Sequence, residues 1–315
     1  MARAAVTLPL VQPMLASPGP APADTDQWAY EVKWDGMRIM SYLDGTGGLR
    51  LISRNANQAT ARYPELAELT ELLGGRSAVL DGEVIATDEQ GRPNFGRLQE
   101  RMTLRSPTAV KAAMLAYPVT LMLFDVVHLD GRDLTGMSYR GRREVLESLP
   151  LDGTRVVVPP AWPGSMAGEA VAWTQAQGLE GVIAKRLGSS YTPGARSKDW
   201  IKIKHVLTAD VVIGGWVPAG TTVRALLLGV RDGDRLRYVG KVGTGFSQAE
   251  RKALYGLLEQ TSADTSPFTG PGPDRGEPVR WCRPQLAGEV EYLEYTSAGN
   301  LRHPVWKGLR GPLGE

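Results

Sequence analysis

The chain has 315 residues, 42% of them hydrophobic and 22% charged, with a formal net charge of +2. That length suits two domains with ordinary cores, and the near-neutral charge leaves any phosphate-binding surface to local clustering of cations. A single cysteine excludes an internal disulfide, no run approaches the roughly 18 apolar residues of a membrane span, and Met1-Ala2-Arg3-Ala4-Ala5-Val6 does not lead into an apolar signal segment. A globular protein of the reducing cytoplasm, without a membrane partner, is expected.

Residues 1 to about 27 carry Pro9, Pro13, Pro18, Pro20 and Pro22 and read as an extended lead-in. Short strands follow at Tyr30 to Val32, Arg38 to Tyr42 and Leu49 to Ser53. Between the first two lies Lys33-Trp34-Asp35-Gly36. Asp-Gly is a hairpin-turn signal and predicts a hairpin presenting Lys33 near its turn. A lysine attacks only as the neutral amine, and burial or crowding by other cations lowers its pKa toward that state. Six Asp-Gly pairs occur in the chain, so this stretch taken alone favours a plain hairpin with a solvated lysine.

A helix is expected from about Ala59 to Leu73, with Leu66, Leu69, Leu72 and Leu73 at helical spacing and Gly74-Gly75 as its stop. Strands at Ala78 to Ala86 and Val119 to His128 flank a polar helical stretch around Arg97 to Leu115. Helices at Tyr139 to Leu149 and near Met166 to Gln177 bracket a strand at Val156-Val157-Val158. Strands at Glu180 to Lys185 and Trp200 to Lys204 close this half. Alternation in Trp200-Ile201-Lys202-Ile203-Lys204 puts both lysines on one strand face.

Past His205 the pattern changes to short strands (Val211 to Ile213, Ala225 to Val230, Leu236 to Val239, Glu289 to Tyr295) around one helix, which opens on Ser247-Gln248-Ala249-Glu250, a capping box. Such a stretch suits a small five-stranded barrel of the OB type. Ser262 to Pro278, with Pro267, Pro271, Pro273 and Pro278, reads as a surface loop. The expected domains are therefore residues 1–205 and 206–315.

Taken in order, Tyr30-Glu31-Val32-Lys33-Trp34-Asp35-Gly36-Met37-Arg38, Ser53-Arg54-Asn55, Leu80-Asp81-Gly82-Glu83, Leu123-Phe124-Asp125, Glu180-Gly181-Val182-Ile183-Ala184-Lys185 and Trp200-Ile201-Lys202-Ile203-Lys204 form a series. It resembles the covalent nucleotidyltransferases, the superfamily of ATP-dependent DNA ligases, RNA ligases and mRNA capping enzymes, over nearly the whole chain. The tail Leu301-Arg302-His303-Pro304-Val305-Trp306-Lys307-Gly308-Leu309-Arg310, with Gly288-Glu289-Val290-Glu291-Tyr292 before it, is similar to the end of the ligase domain in bacterial ATP-dependent repair and end-joining ligases.

That resemblance implies an α+β fold: a nucleotidyltransferase catalytic domain of ATP-grasp-like antiparallel sheets with helices, then an OB-fold barrel. It implies a minimal two-domain DNA ligase that seals 5′-phosphate/3′-hydroxyl nicks in double-stranded DNA through AMP bound covalently to Lys33 and through adenylylated DNA, using ATP and Mg²⁺, with Mn²⁺ as the alternative metal. Lys33, Lys185 and Lys202 would be catalytic. Glu31, Arg38, Arg54, Glu83, Phe124 and Lys204 would join them in binding the nucleotide, Phe124 by stacking on the purine. Glu83 and Glu180 would serve the metal, and Arg302, Lys307 and Arg310 would orient pyrophosphate. A monomer is implied, in the bacterial cytoplasm and at the nucleoid during repair, with an end-joining polymerase or a DNA-end-binding protein as partner. An RNA ligase or a capping-type guanylyltransferase differs from this in its acceptor. A non-catalytic OB-fold nucleic-acid-binding protein, gripping the backbone with Arg231, Arg235, Arg237 and Lys241, is the reading from another class.

Overall fold

A computed structural model describes residues 6–310 except 234, 271, 274, 275, 277, 294 and 297. The leader reading of Met1 to Ala5 and part of the Ser262 to Pro278 loop, Pro271 included, lie outside the described residues. The chain divides into two compact units, residues 1–205 and 206–315. No described helix is long and apolar enough to cross a membrane.

The first unit contains strands β1 (Leu15–Pro18), β2 (Trp28–Val32), β3 (Met37–Asp44), β4 (Leu49–Ser53), β5 (Ser77–Ala86), β6 (Val119–Leu129), β7 (Arg132–Asp133), β8 (Val156–Val157), β9 (Trp162–Pro163), β10 (Gly181–Arg186) and β11 (Arg196–Lys204). Its helices are α1 (Glu68–Leu72), α2 (Phe95–Met102), α3 (Pro107–Ala116), α4 (Tyr139–Ser148) and α5 (Ala167–Ala176). They build one sheet in the order β1-β11-β10-β2-β9 and a second in the order β4-β3-β5-β6-β7, with β8 added beside β6. Pairing is antiparallel except β1 with β11 and β6 with β8.

Period-two alternation gives each sheet two apolar faces. On β3 and β5, Ile39, Leu43, Leu80 and Val84 enter the core covered by α1, α2 and α4, whereas Met40, Tyr42 and Val79 point the other way, into a core shared with Met14, Phe124 and Trp200. On the sheet holding β11, Trp28, Tyr30, Val182 and Ala184 face α5. On the sheets' inner faces Glu31 on β2, Arg38 on β3, Asp81 and Glu83 on β5, and Lys185 on β10 also turn inward between the sheets.

The second unit is a twisted sheet of β12 (Leu207–Ala219), β13 (Thr222–Asp232), β14 (Arg235–Val242), β15 (Ser262–Ala263), β16 (Arg280–Cys282), β17 (Ala287–Tyr292) and β18 (Val305–Leu309), with α6 (Gln248–Gln260) between β14 and β15. The five longer strands run β14-β13-β12-β17-β18, while the two short ones, β16 and β15, branch from β12. Leu301 N donates to Val239 O (2.7 Å) and Trp306 N to Thr244 O (3.0 Å), which returns the last strand to the β14 side and closes the barrel. Leu254 and Leu258 of α6 pack with Trp216 and Trp306 in its core. The capping box is formed: Ser247 N donates to Glu250 Oε2 (2.8 Å) and Glu250 N to Ser247 Oγ (3.2 Å).

Three local expectations fail for identifiable reasons. The Lys33 stretch is no hairpin, because β2 and β3 belong to different sheets and residues 33–36 are the crossing between them. Its glycine serves close approach: a Cβ on Gly36 would lie 2.2 Å from Val84 O. The helix expected over Ala59 to Leu73 is two 3₁₀ turns, Thr60–Arg62 and Pro64–Ala67, before the short α1, since Pro64 has no N–H to continue a helix. The stretch Arg97 to Leu115 splits into α2 and α3, with Pro107 starting the second.

The β6–α4 contact is locked by charge. Arg142 Nε donates to Asp125 Oδ1 (2.8 Å) and Nη2 to Oδ2 (3.0 Å), with both side chains wholly buried. Arg142 Nη1 also donates to Met137 O (2.5 Å) and Ser189 O (3.1 Å). Removing one partner of a buried pair typically costs about 3–5 kcal/mol. Arg142→Met is expected to destabilise the protein by that amount in urea titrations followed by tryptophan fluorescence; a loss below about 1 kcal/mol would show that Asp125 finds another partner.

Candidate active site

Glu31, Lys33, Arg38, Arg54, Glu83, Phe124, Lys185 and Lys202, drawn from six strands and two connections of the first unit, line one pocket together with Leu15, Ala16, Arg196 and Trp200. The two sheets bring them together: β2 and β10 are adjacent, with Ile183 opposite Glu31, and β3 lies beside β5 with Arg38 opposite Glu83.

Lys33 is held at both ends. Its backbone N–H donates to Gly181 O (2.9 Å) and its Nζ is paired with Glu180 Oε2. The Glu180-Gly181 sequence makes this possible, because Gly181 sits at φ 147° and a Cβ there would lie 2.1 Å from Ile203 O. Glu180 Oε1 receives Lys204 Nζ at 2.7 Å. Burial would raise the Glu180 carboxyl's pKa, but the pull of Lys33 and Lys204 outweighs it and holds the group below its usual range.

Lys185 is buried, its Nζ 2.7 Å from Glu31 Oε2 and 3.2 Å from Phe124 O, and it stands 4.3 Å from the Trp200 ring centroid and 4.5 Å from that of Phe124. Burial lowers its pKa in spite of Glu31 and Asp125. Arg38 binds Asp81 through both carboxylate oxygens (2.5 and 2.6 Å) and lies 4.5 Å over the Phe124 ring. Asp81 Oδ2 also accepts from Tyr191 Oη at 2.6 Å. Phe124 is thus a buried core residue, 9% exposed, that also lines the pocket.

Among the pocket-lining charges that are at least half-buried, Glu83 and Lys202 have no hydrogen-bond or ion-pair partner among the described residues. Glu83 accepts no hydrogen bond, and burial pushes its pKa up to about 8 against the pull of Arg38 and Lys33. Lys202 pairs with nothing, and its pKa is lowered by burial and then by Lys204, Arg196 and Lys33. Arg54 is exposed at the pocket rim. Glu180 and Lys204 are not pocket-lining and reach the site through Lys33. Arg302, Lys307 and Arg310 stand in the second unit, where Lys307 pairs with Glu291 (2.9 Å) and Arg310 with Glu289 (2.7 Å).

Sequence reasoning passed over several participants. Asp81 was legible, since it shares the inward face of β5 with Glu83 two residues on. Trp200 shares the face of Lys202 for the same reason. Tyr139 and Arg143, which reach Glu31 from α4, carry no local signal, as 108 residues separate Tyr139 from Glu31.

The family model described as ATP dependent DNA ligase domain matches residues 13–204, and the one described as ATP dependent DNA ligase C terminal region matches residues 219–311. The chain is 42% identical over 306 residues to the multifunctional non-homologous end joining protein LigD of Mycolicibacterium smegmatis, covering 95% of this chain and 38% of that protein. It is 39% identical over 294 residues to the protein of the same name from Pseudomonas aeruginosa, covering 90% of this chain and 34% of that protein. It thus spans little more than a third of these relatives. A solved mycobacterial DNA ligase D, complexed with ATP and MES, is 39% identical with a TM-score of 0.56, and 95% of each chain is covered. With both units matched in order by the family's own two regions, the chain belongs to the ATP-dependent DNA ligases.

Proposed function

We propose that this chain is a DNA ligase that adenylylates itself on Lys33 with ATP, passes the adenylate to the 5′-phosphate of a nick and joins the 3′-hydroxyl, and that it does so in end-joining repair in the bacterial cytoplasm. The observation that carries the reading is the placement of Lys33 Nζ, held by Glu180, in the wall of a pocket lined by Lys185, Lys202, Arg38, Phe124 and Trp200. Family membership and the relatives named for end joining support the choice of DNA as acceptor.

In the first step Lys33 Nζ bonds to the α-phosphorus while the bond to the pyrophosphate oxygen breaks and its electron pair leaves with pyrophosphate. Before attack the Lys33 ammonium gives one proton to Glu180 Oε2, already in contact with it, and the amine loses a second to solvent as the nitrogen–phosphorus bond forms. A 5′-phosphate oxygen then displaces Lys33 from the adenylate, and the 3′-hydroxyl displaces AMP. Charge on the phosphoryl oxygens is what such transition states must have stabilised. Lys202, unpaired among the described residues, and Lys185 supply fixed positive charge there, and Phe124, which lines the pocket, is the ring assigned to stack on the base.

Mg²⁺ fits one of the two expected carboxylates better than the other. Glu83 is a half-buried acid without a partner among the described residues, which a hard cation would satisfy, whereas Glu180 is already shared by two lysines. No cluster of three or more His, Cys, Asp or Glu exists among the described residues, in keeping with an ion that completes its shell with water and phosphate oxygens. Bound at Glu83, it would supply positive charge to the phosphates.

Lys33→Ala is expected to abolish acid-labile labelling by α-labelled ATP and nick sealing, each by more than a thousandfold; a fully labelled variant would remove Lys33 from the mechanism. GTP labelling equal to that with ATP would reassign the chain to the guanylyltransferases. In metal- and nucleotide-free protein, Glu83 has a folded pKa of about 8 against 4.5 unfolded, so the folded state holds the extra proton between those values and stability falls as pH rises through that window. Glu83→Gln lacks this loss, and its Tm advantage over the parent should grow between about pH 5 and pH 8; parallel Tm curves would mean that Glu83 ionises normally. Finally, we assign Arg302, Lys307 and Arg310 to the first step. Replacing all three with Ala should slow self-labelling at least tenfold while changing the joining of a pre-adenylylated nick less than threefold; equal losses in both would leave them DNA contacts only.

A further inference from the structure

Glu31 is more tightly constrained than any other acid in the pocket wall. It is 5% exposed, and two donors converge on its carboxylate, Lys185 Nζ on Oε2 at 2.7 Å and Tyr139 Oη on Oε1, with the Arg143 guanidinium as a more distant ion-pair partner, its Nη1 3.5 Å from Oε1. Tyr139 stands in the first turn of α4, and that turn is immobilised independently of Glu31. Ser138 Oγ caps it by accepting from Gly141 N (3.2 Å), Tyr139 N donates to Ser189 O (2.7 Å), Arg140 N donates to Leu187 O (3.0 Å), and Arg142 is locked to Asp125. The Tyr139 hydroxyl is therefore a fixed point against which the buried Glu31 carboxylate is set.

Fixing Glu31 in turn fixes the buried ammonium of Lys185. That ammonium otherwise has one carbonyl, Phe124 O, and the aromatic faces of Phe124, Trp200 and Tyr139 (5.1 Å) around it. Ring faces attract a cation without selecting one direction, so the hydrogen bond from Nζ to Glu31 Oε2 sets where the charge points. Misplacement by about an ångström of a group that must meet a developing charge costs on the order of a hundredfold in rate.

We propose that Tyr139 is a positioning residue for adenylyl transfer: its hydroxyl orients the Glu31 carboxylate and, through it, the Lys185 ammonium that faces the nucleotide's phosphates. The proposal rests on the ligase reading above. Arg143 plays a lesser part, since its Nε and Nη2 are committed to Glu147 and Pro159 O and its Nη1 makes no hydrogen bond.

The test is single-turnover self-labelling of the full chain with α-labelled ATP, comparing the parent, Tyr139→Phe, Glu31→Asp and the double variant, with Tm measured for each. Tyr139→Phe removes one oxygen and its single side-chain hydrogen bond, so its Tm should stay within a few degrees of the parent. Its labelling rate at saturating ATP should fall about tenfold or more while KM for ATP changes less than threefold. In Glu31→Asp, whose shorter side chain withdraws the carboxylate from Tyr139, adding Tyr139→Phe should change the rate less than twofold. Parent-like labelling by Tyr139→Phe, a change confined to KM, or a full tenfold loss in both backgrounds would each overturn the proposal. A fall in Tm large enough to account for the rate loss would also overturn it, as the phenol would then be structural. Failure of the parent itself to label would refute the ligase reading instead.

Discussion

A charge taken out of water must be paired, and the interior between the two sheets of the first unit is organised by that requirement. Arg38 with Asp81, Arg142 with Asp125 and Lys185 with Glu31 each join two different elements through hydrogen-bonded ion pairs. Breaking a buried pair costs about 3–5 kcal/mol, against a total stability of about 5–15 kcal/mol for a folded domain. Three such pairs therefore act as registry devices as much as stabilisers, because a sheet placed wrongly by one residue would strand several charges together.

The exceptions to this rule are the informative groups. Glu83 and Lys202 face the same pocket and have no partner among the described residues. Each bears the cost of partial burial in its pKa, raised for the acid and lowered for the amine. Such unspent charges suit a ligand that brings both negative phosphates and a divalent cation. The paired residues build the pocket, and the unpaired ones are left for what enters it.

Lys33 falls between these two groups. Its partner Glu180 is shared with Lys204, and its backbone is tied to Gly181, so the amine is held where a proton acceptor touches it. The crossing from one sheet to the other, closely packed on β5 at Gly36, places that amine where both sheets contribute to its surroundings. A two-residue hairpin turn would have left it at the edge of one sheet.

Much of this was legible in the sequence. Alternation on β3, β5 and β11 determined which side chains share a face, the Ser247 to Glu250 box determined the start of α6, and the ordered short motifs pointed to part of the pocket's lining, though Arg196 was not among them and Glu180 and Lys204 do not line it. These are local properties, set by a period of two or 3.6 or by a cap within four residues. What only the tertiary structure decided was pairing at long range. Glu180 reaches Lys33 across 147 positions and Tyr139 reaches Glu31 across 108; residues 33–36 cross between sheets, and Glu83 is left without a partner while Glu180 has two. The physical reason is that a side chain's neighbours depend on which sheet each strand joins and in what order. Sheet membership is settled by the summed burial and charge pairing of the whole unit, which no window of the sequence contains.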